Sequence, residues 1–232
     1  IILTCVDHIR DYYLSNGFLS EVFSYGFDAN ILNKLESSND FYDVSFVGGL
    51  NLMKGGHHIR LKVLSSILSL NPKYFISSNQ LNDHQLYKWP QRQRLYKGKL
   101  KEAWEIYKVG EQNSGIKYGL EMYQTLLNSK VSLNIHIDNA KDKAANIRLF
   151  EATGMGSCLL TDWKENIKDY FEPDKEIVTF KSADECIEKA KYLLDNEEVR
   201  KNIAKAGQEK TLNNYEMSER VKDIEKIIIQ NI

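Results

Sequence analysis

The sequence predicts an α/β chain, a doubly wound parallel sheet with helices on both faces. Three observations carry that prediction. Short runs rich in β-branched and aromatic residues recur: "YDVSFVGGL", "KYFIS", "VSLNIHID", "SCLLTD" and "EIVTF". Segments with helical spacing separate them. The three prolines, Pro72, Pro90 and Pro173, sit outside every strongly periodic run.

In chain order, "IILTC" reads as a short strand and residues 6 to 36 as mixed short elements. The polar stretch Glu36 to Asp40 is the best candidate boundary. "YDVSFVGGL" is a buried strand ending in a glycine turn. "HHIRLKVLSSILSL" is a helix with Ile59, Val63, Ile67 and Leu70 on one face. "KYFIS" is a strand, and residues 80 to 116 fit no single pattern. "YGLEMYQTLLNSK" is a helix with Leu120, Tyr123, Leu126 and Leu127 on one side. "VSLNIHID" alternates strictly, placing Ser132, Asn134, His136 and Asp138 on one face. Next come helix "NIRLFEAT", strand "SCLLTD", a short helix around Ile167 and strand "EIVTF". Helix "SADECIEKAKYLL" opens with a capping box, Ser182 and Glu185. Its buried stripe is Ala183, Ile187, Ala190 and Leu194. Helices near 197–213 and 217–230 close the chain.

Composition narrows the function classes. With 42% apolar residues the chain supports a real core, and a net charge of −1 gives no global field for nucleic acid or an anionic membrane. The mixed basic and aromatic stretch 87–101 is therefore read as an exposed helix or an acceptor-side loop, not a nucleic-acid patch. Cys5, Cys158 and Cys186 are far apart and read as thiols of a reducing, cytoplasmic compartment. No apolar run reaches the roughly 20 residues of a membrane helix. The start without methionine suggests a fragment of a longer protein.

Ligands of doubly wound sheets sit beyond the carboxyl ends of the strands. That rule marks Gly48-Gly49, Ser77-Ser78, His136 to Asp138, and Thr161-Asp162. Gly48 and Gly49 would let backbone N–H groups approach a diphosphate, with Lys54, His57, His58 and Arg60 following; the alternative is a tight turn with solvated basic residues. Asn146 is a natural N-cap for the helix carrying Glu151. Lys141, Lys143 and Arg148 cluster at its start, where cations oppose the helix dipole unless an anion lies between them. Glu151 is either a ligand for paired hydroxyls such as those of a ribose, or an ordinary partner of Arg148 three residues away. His136 is either a satisfied structural residue or a contact to the same ligand. No metal-ligand spacing and no Asp-x-Asp clamp occur, so no metal or other cofactor is expected. G-x-G-x-x-G is absent, which disfavours a hydride-transfer dinucleotide fold.

The pattern "SKVSLNIHI…NIRLFEATGMGSCLLTDW…YLLDNEEVRKNIAKAG" resembles the C-terminal domain of GT-B glycosyltransferases. The nearest type is the glycosyltransferase-family-1-like domain of CgeB-like spore-maturation proteins and polysaccharide-biosynthesis transferases. The resemblance covers residues 40 to 220 and is densest from 129 to 210. It implies a Rossmann-like, nucleotide-sugar-binding domain at 39–215. Residues 1–38 would be a remnant of an N-terminal acceptor domain with its linker, and 216–232 a C-terminal helix. It implies transfer of a sugar from a nucleoside-diphosphate sugar to a hydroxyl of a glycan or other acceptor, without a metal. Peripheral membrane contact, if any, would come through the missing N-terminal half. In related retaining enzymes two glutamates stand with seven residues between them. Glu151 matches the second, which contacts the ribose, while Lys143 stands where the first would be. "VGGLNLMKG" is similar to the family's phosphate region, with Gly49 where arginine is common and Lys54 matching its lysine; Arg60 is a second candidate. Lys54, Arg60 or Arg148 would neutralise the leaving diphosphate. An inverting reaction would need a general base from the N-terminal domain; with most of that domain missing, the chain alone is expected to bind nucleotide weakly and to transfer nothing. The alternative is a non-catalytic GT-B-like binding or scaffold module.

Overall fold

The computed structural model describes residues 1–36, 41–52, 56–78 and 100–231. Lys54 and most of the basic stretch 87–101 lie outside them. The chain opens with β1 (Ile2–Thr4), α1 (Asp7–Ser15) and β2 (Ser20–Val22), where β1 and β2 form a small parallel sheet. The main body follows: β3 (Tyr42–Gly49), α2 (His58–Ser66), β4 (Lys73–Ser77), α3 (Leu100–Glu111), α4 (Gly119–Leu127), β5 (Ser129–Asn134), α5 (Arg148–Gly154), β6 (Cys158–Asp162), β7 (Val178–Phe180), α6 (Ala183–Asp195), α7 (Glu197–Asn214) and α8 (Met217–Gln230).

β3 to β7 form one five-stranded sheet, all parallel, in the order β4-β3-β5-β6-β7. Parallel strands need crossovers, and the intervening helices supply them on both faces. Each face has its own core. Val44, Phe46, Leu133 and Leu160 pack under α2, α3 and α6, with Ile67 and Tyr74 among them. Val47, Phe75 and Leu159 pack under α4 and α5, with Phe27, Phe171 and Tyr215. The doubly wound parallel sheet is therefore as the sequence predicts.

Two covered faces explain where helix-face expectations miss. Ile59, expected inward, is 55% exposed, and α2 instead buries Arg60, Leu61, Val63 and Leu64. The helix tightens into a 3₁₀ turn at Ile67–Leu70. Leu120 and Ile137 are exposed as well. On β5 the polar residues Ser132 and Asn134 are as buried as Val131, because helices cover both sides. The capping residue of α6 is as expected: Ser182 Oγ accepts from Glu185 N at 3.1 Å.

The N-terminal segment is stitched to the C-terminus. Phe27 N donates to Tyr215 O at 2.8 Å and Met217 N to Phe27 O at 3.0 Å. Phe27 is buried against α5, where a Cβ added to Gly154 would come within 2.5 Å of its ring. Phe150, Phe171, Tyr170 and Tyr215 pack around the same join, with ring centroids 4.7 to 6.3 Å apart.

Candidate functional site

The carboxyl edge of the sheet gathers most of the residues singled out above, in two groups. The first surrounds Arg60. Gly48 and Gly49 are the last two residues of β3, paired with Ile76 and Ser77, and do not form the turn expected of them. The strand runs on because β4 continues beside it. A Cβ on Gly48 would meet the Phe46 ring at 2.9 Å, whereas Gly49 has room for one. Arg60 is only 7% exposed, and its guanidinium donates to Gly49 O and to Ile135 O, each at 2.5 Å. It thus braces the end of β3 against the end of β5. Burial pulls Arg60 down to about 10, while Asp162 and Asp138 act the other way. His57 Nδ1 accepts from Asn51 N at 2.7 Å. Burial and the neighbouring Arg60 lower its pKa to about 4, so the ring is neutral at pH 7.

The start of α2 is also occupied by the protein itself. Asp138 Oδ2 accepts from His58 N at 3.0 Å, and Asp138 N donates to Gly56 O at 2.9 Å. A carboxylate already lies where the exposed N–H groups of a helix would attract an anion.

The second group lies beyond β5 and β6. His136 is 2% exposed; its Nδ1 lies 2.7 Å from Asp162 Oδ1, which also accepts His136 N at 2.9 Å. Burial raises the Asp162 carboxyl, but the hydrogen bonds from His136 and the charge of Lys164 outweigh it and hold it below the usual carboxylate range. Thr161 Oγ1 is 3.4 Å from Asp162 Oδ1 and accepts from Asn134 Nδ2 at 2.9 Å. Asn146 Nδ2 donates to Asn134 Oδ1 at 2.7 Å. Asn146 is therefore not the N-cap of α5. Ile147 takes that place without a side-chain cap, because the Asn146 amide is turned to the strand.

Glu151 stands in the first turn of α5 and is 6% exposed. Arg148 Nη1 lies 2.7 Å from its Oε2, and Tyr123 O–H donates to Oε1 at 3.1 Å. Burial and the adjacent Glu151 raise the Tyr123 phenol well above its ordinary value, so it stays a donor. The intrahelical pairing with Arg148 is thus real, yet it leaves the carboxylate further lone pairs for hydroxyls. The expected basic cluster at the helix start is dispersed. Lys143 Nζ lies 3.5 Å from Asp7 and 3.9 Å from Glu165, and the Lys141 side chain is exposed.

Sequence reasoning missed Tyr123, Asn134, Asp138 and Asp162 as site members. Two of them sit in the strand-end positions His136 to Asp138 and Thr161-Asp162. Only the sheet's strand order shows that these two ends are neighbours.

A five-stranded parallel sheet flanked by helices, with polar side chains gathered past its carboxyl edge, is the Rossmann-like fold of GT-B glycosyltransferase domains. The chain belongs to the glycosyl transferase-like family, whose model matches residues 74–226. Among solved structures it is similar to HepE of Anabaena in complex with UDP-glucose, with a TM-score of 0.67, 14% identity and 99% of this chain covered against 64% of that one. It is similar to a glycosyltransferase of Rickettsia africae, with a TM-score of 0.62, 12% identity and coverage of 97% and 62%. It also resembles the C-terminal domain of the glycosyl transferase group 1 family protein LpcC of Francisella tularensis, with a TM-score of 0.53, 13% identity and coverage of 82% and 99%. The chain spans less than two thirds of the first two proteins. No curated protein matches it. No described helix is long and apolar enough to cross a membrane.

Proposed function

We propose that the chain is the donor-binding part of a glycosyltransferase of the CgeB-like type, acting in surface polysaccharide or glycan synthesis in the cytoplasm. It would hold a nucleoside-diphosphate sugar while the sugar passes to an acceptor hydroxyl. The observation that carries this reading is Glu151, a buried carboxylate beyond the sheet's carboxyl edge, in a chain of this family. Arg148 and Tyr123 fix its orientation, so its free lone pairs meet the two ribose hydroxyls without reorganisation. Support for the nucleotide also comes from HepE, whose structures hold UDP and UDP-glucose.

The diphosphate would be met by Lys54 and by Arg148, with Gly48, Gly49 and Arg60 shaping the floor beneath it. His136 and Asn146 complete the donor site. No metal or cofactor is required, because the cations are side chains. Residues 39–215 would form the donor domain, 1–38 the tail of the acceptor domain and its linker, and 216–232 a C-terminal helix. If the reaction inverts, its general base belongs to the acceptor side, and the chain alone would bind donor without transferring the sugar.

One observation favours the non-catalytic reading. Lys143, at the position of the family's first glutamate, is tied to Asp7 and Glu165. Calorimetric titration with UDP, GDP, ADP and CMP separates the two. Binding of one nucleoside diphosphate supports the donor site, and binding of none by folded protein refutes it.

A further inference from the structure

The hydrogen bonds past β5 and β6 run in one direction, and Asp162 sets it. An ionised carboxylate only accepts. Thr161 Oγ1, at 3.4 Å from Asp162 Oδ1, therefore donates to it and turns its lone pairs to Asn134 Nδ2 at 2.9 Å. Asn134 then faces Asn146 with its carbonyl, which takes the Asn146 Nδ2 proton at 2.7 Å. On the other side His136 donates through its backbone N at 2.9 Å and its ring Nδ1 at 2.7 Å. Every proton points towards Asp162.

Each end of this network is left with an acceptor. At one end is Asn146 Oδ1. At the other is His136 Nε2, the second ring nitrogen, an acceptor when the ring carries one proton and holds it on Nδ1. Both atoms are buried, and neither has a hydrogen-bond partner among the described residues. Buried polar atoms are nearly always satisfied, so each such atom needs an explanation. Among the described residues the ring pairs with Asp162, the last residue of β6, which Lys164 approaches in turn; Arg60 from α2 and Asp138 past β5 are the charged groups at the end of the neighbouring strand. Asp162 and Lys164 are 3.4 Å apart, and Arg60 and Asp138 both flank the end of β5. Asn134, whose carbonyl holds Asn146, ends β5, and His136 follows two residues on, about 7 Å along an extended chain.

We propose that Asn146 Oδ1 and His136 Nε2 accept hydrogen bonds from two hydroxyls of the donor's sugar, and that Asp162 is the positioning residue that makes both atoms acceptors. The ionised diphosphate bridge of a sugar nucleotide offers no proton and does not fit a pair of acceptors. The ligand class is a polyhydroxylated sugar with two hydroxyls on its inward face. This rests on the proposed donor site and says which of its walls faces the sugar.

Two measurements test it on the full chain. Long-range ¹H–¹⁵N correlation spectra, with His136 assigned against His136→Gln, report the ring tautomer. The expected result is Nδ1–H with a bare Nε2, and a protonated Nε2 at neutral pH overturns the proposal. Titration with the pairs UDP and UDP-glucose, GDP and GDP-mannose, and ADP and ADP-glucose reports what the sugar adds. In the wild type one sugar nucleotide binds about tenfold tighter than its diphosphate, as two modest hydrogen bonds would give. Asp162→Ala removes the acceptor that holds the ring proton on Nδ1 and the Thr161 hydroxyl away from Asn134, so the ratio of sugar-nucleotide to diphosphate affinity falls to about one. An unchanged ratio in the folded variant overturns the proposal. A diphosphate that binds with no gain from its sugar overturns this inference alone. Binding of neither member of any pair overturns the donor site and this inference with it.

Discussion

The two halves of the sheet's carboxyl edge are built differently. At the end of β3 the polar side chains are tied to the backbone: Arg60 holds two strand carbonyls and Asp138 caps α2, with Arg60 Nε and Asp138 Oδ1 the buried atoms left over. At the ends of β5 and β6 the polar groups are linked to one another but leave buried acceptors open. One half is a brace, and the other is the proposed receptor. The difference teaches that a basic residue next to a glycine pair is a poor guide to ligand contact when strand carbonyls nearby also need donors.

The largest expected effect tests the brace. Arg60→Ala leaves Gly49 O and Ile135 O without their donor inside the protein and should cost about 3 kcal/mol in urea denaturation. Unchanged stability, with nucleotide affinity lost, would make Arg60 a ligand residue and erase the contrast. Next comes the anchoring of the receptor half. Gly154→Ala drives a methyl group into the Phe27 ring and should cost about 2 kcal/mol by the same assay. An unaffected protein would mean that the N-terminal segment is not fixed there. Ser182→Ala, remote from the binding edge, should cost about 1 kcal/mol through its helix cap and leave nucleotide titrations unaltered. A change in affinity would show that the edge is not independent of α6.

The smallest effect is a pH dependence on the brace side. His57 has a folded pKa of about 4 against an ordinary value of 6.5. Between those values the unfolded chain binds a proton that the folded chain does not, so stability falls as the pH drops from 6.5 towards 4. The ring is partly exposed and screened, which limits the loss to about 1 kcal/mol or less. Melting temperatures at neutral and mildly acidic pH should converge in His57→Gln; an undiminished gap would assign the dependence elsewhere.

Much of the fold was legible because strand and helix periods differ and the turn chemistry at Ser182 is local. The strand order was not, since nothing local reports which strand lies beside which. That order brings Thr161 and Asp162 beside Asn134 and His136, so the network is invisible in the sequence even though His136, Thr161 and Asp162 stand at marked strand ends. Helix faces at Ile59 and Leu120 were misassigned because a sheet covered on both sides accepts Arg60 or Thr125 inward as readily as an isoleucine. The intrahelical pairing of Glu151 with Arg148 was readable from spacing alone. Its second partner, Tyr123, comes from α4 and needed the fold.

The most direct test of the donor site is calorimetry of the wild type and Glu151→Gln against the nucleoside diphosphate that binds. Glutamine keeps an acceptor for Tyr123 O–H, so the fold should survive, while the neutral amide is a weaker acceptor for two hydroxyls. At least tenfold weaker binding, with unchanged denaturation, is the expected result. Equal affinity in the two proteins would contradict the assignment of Glu151 to the ribose.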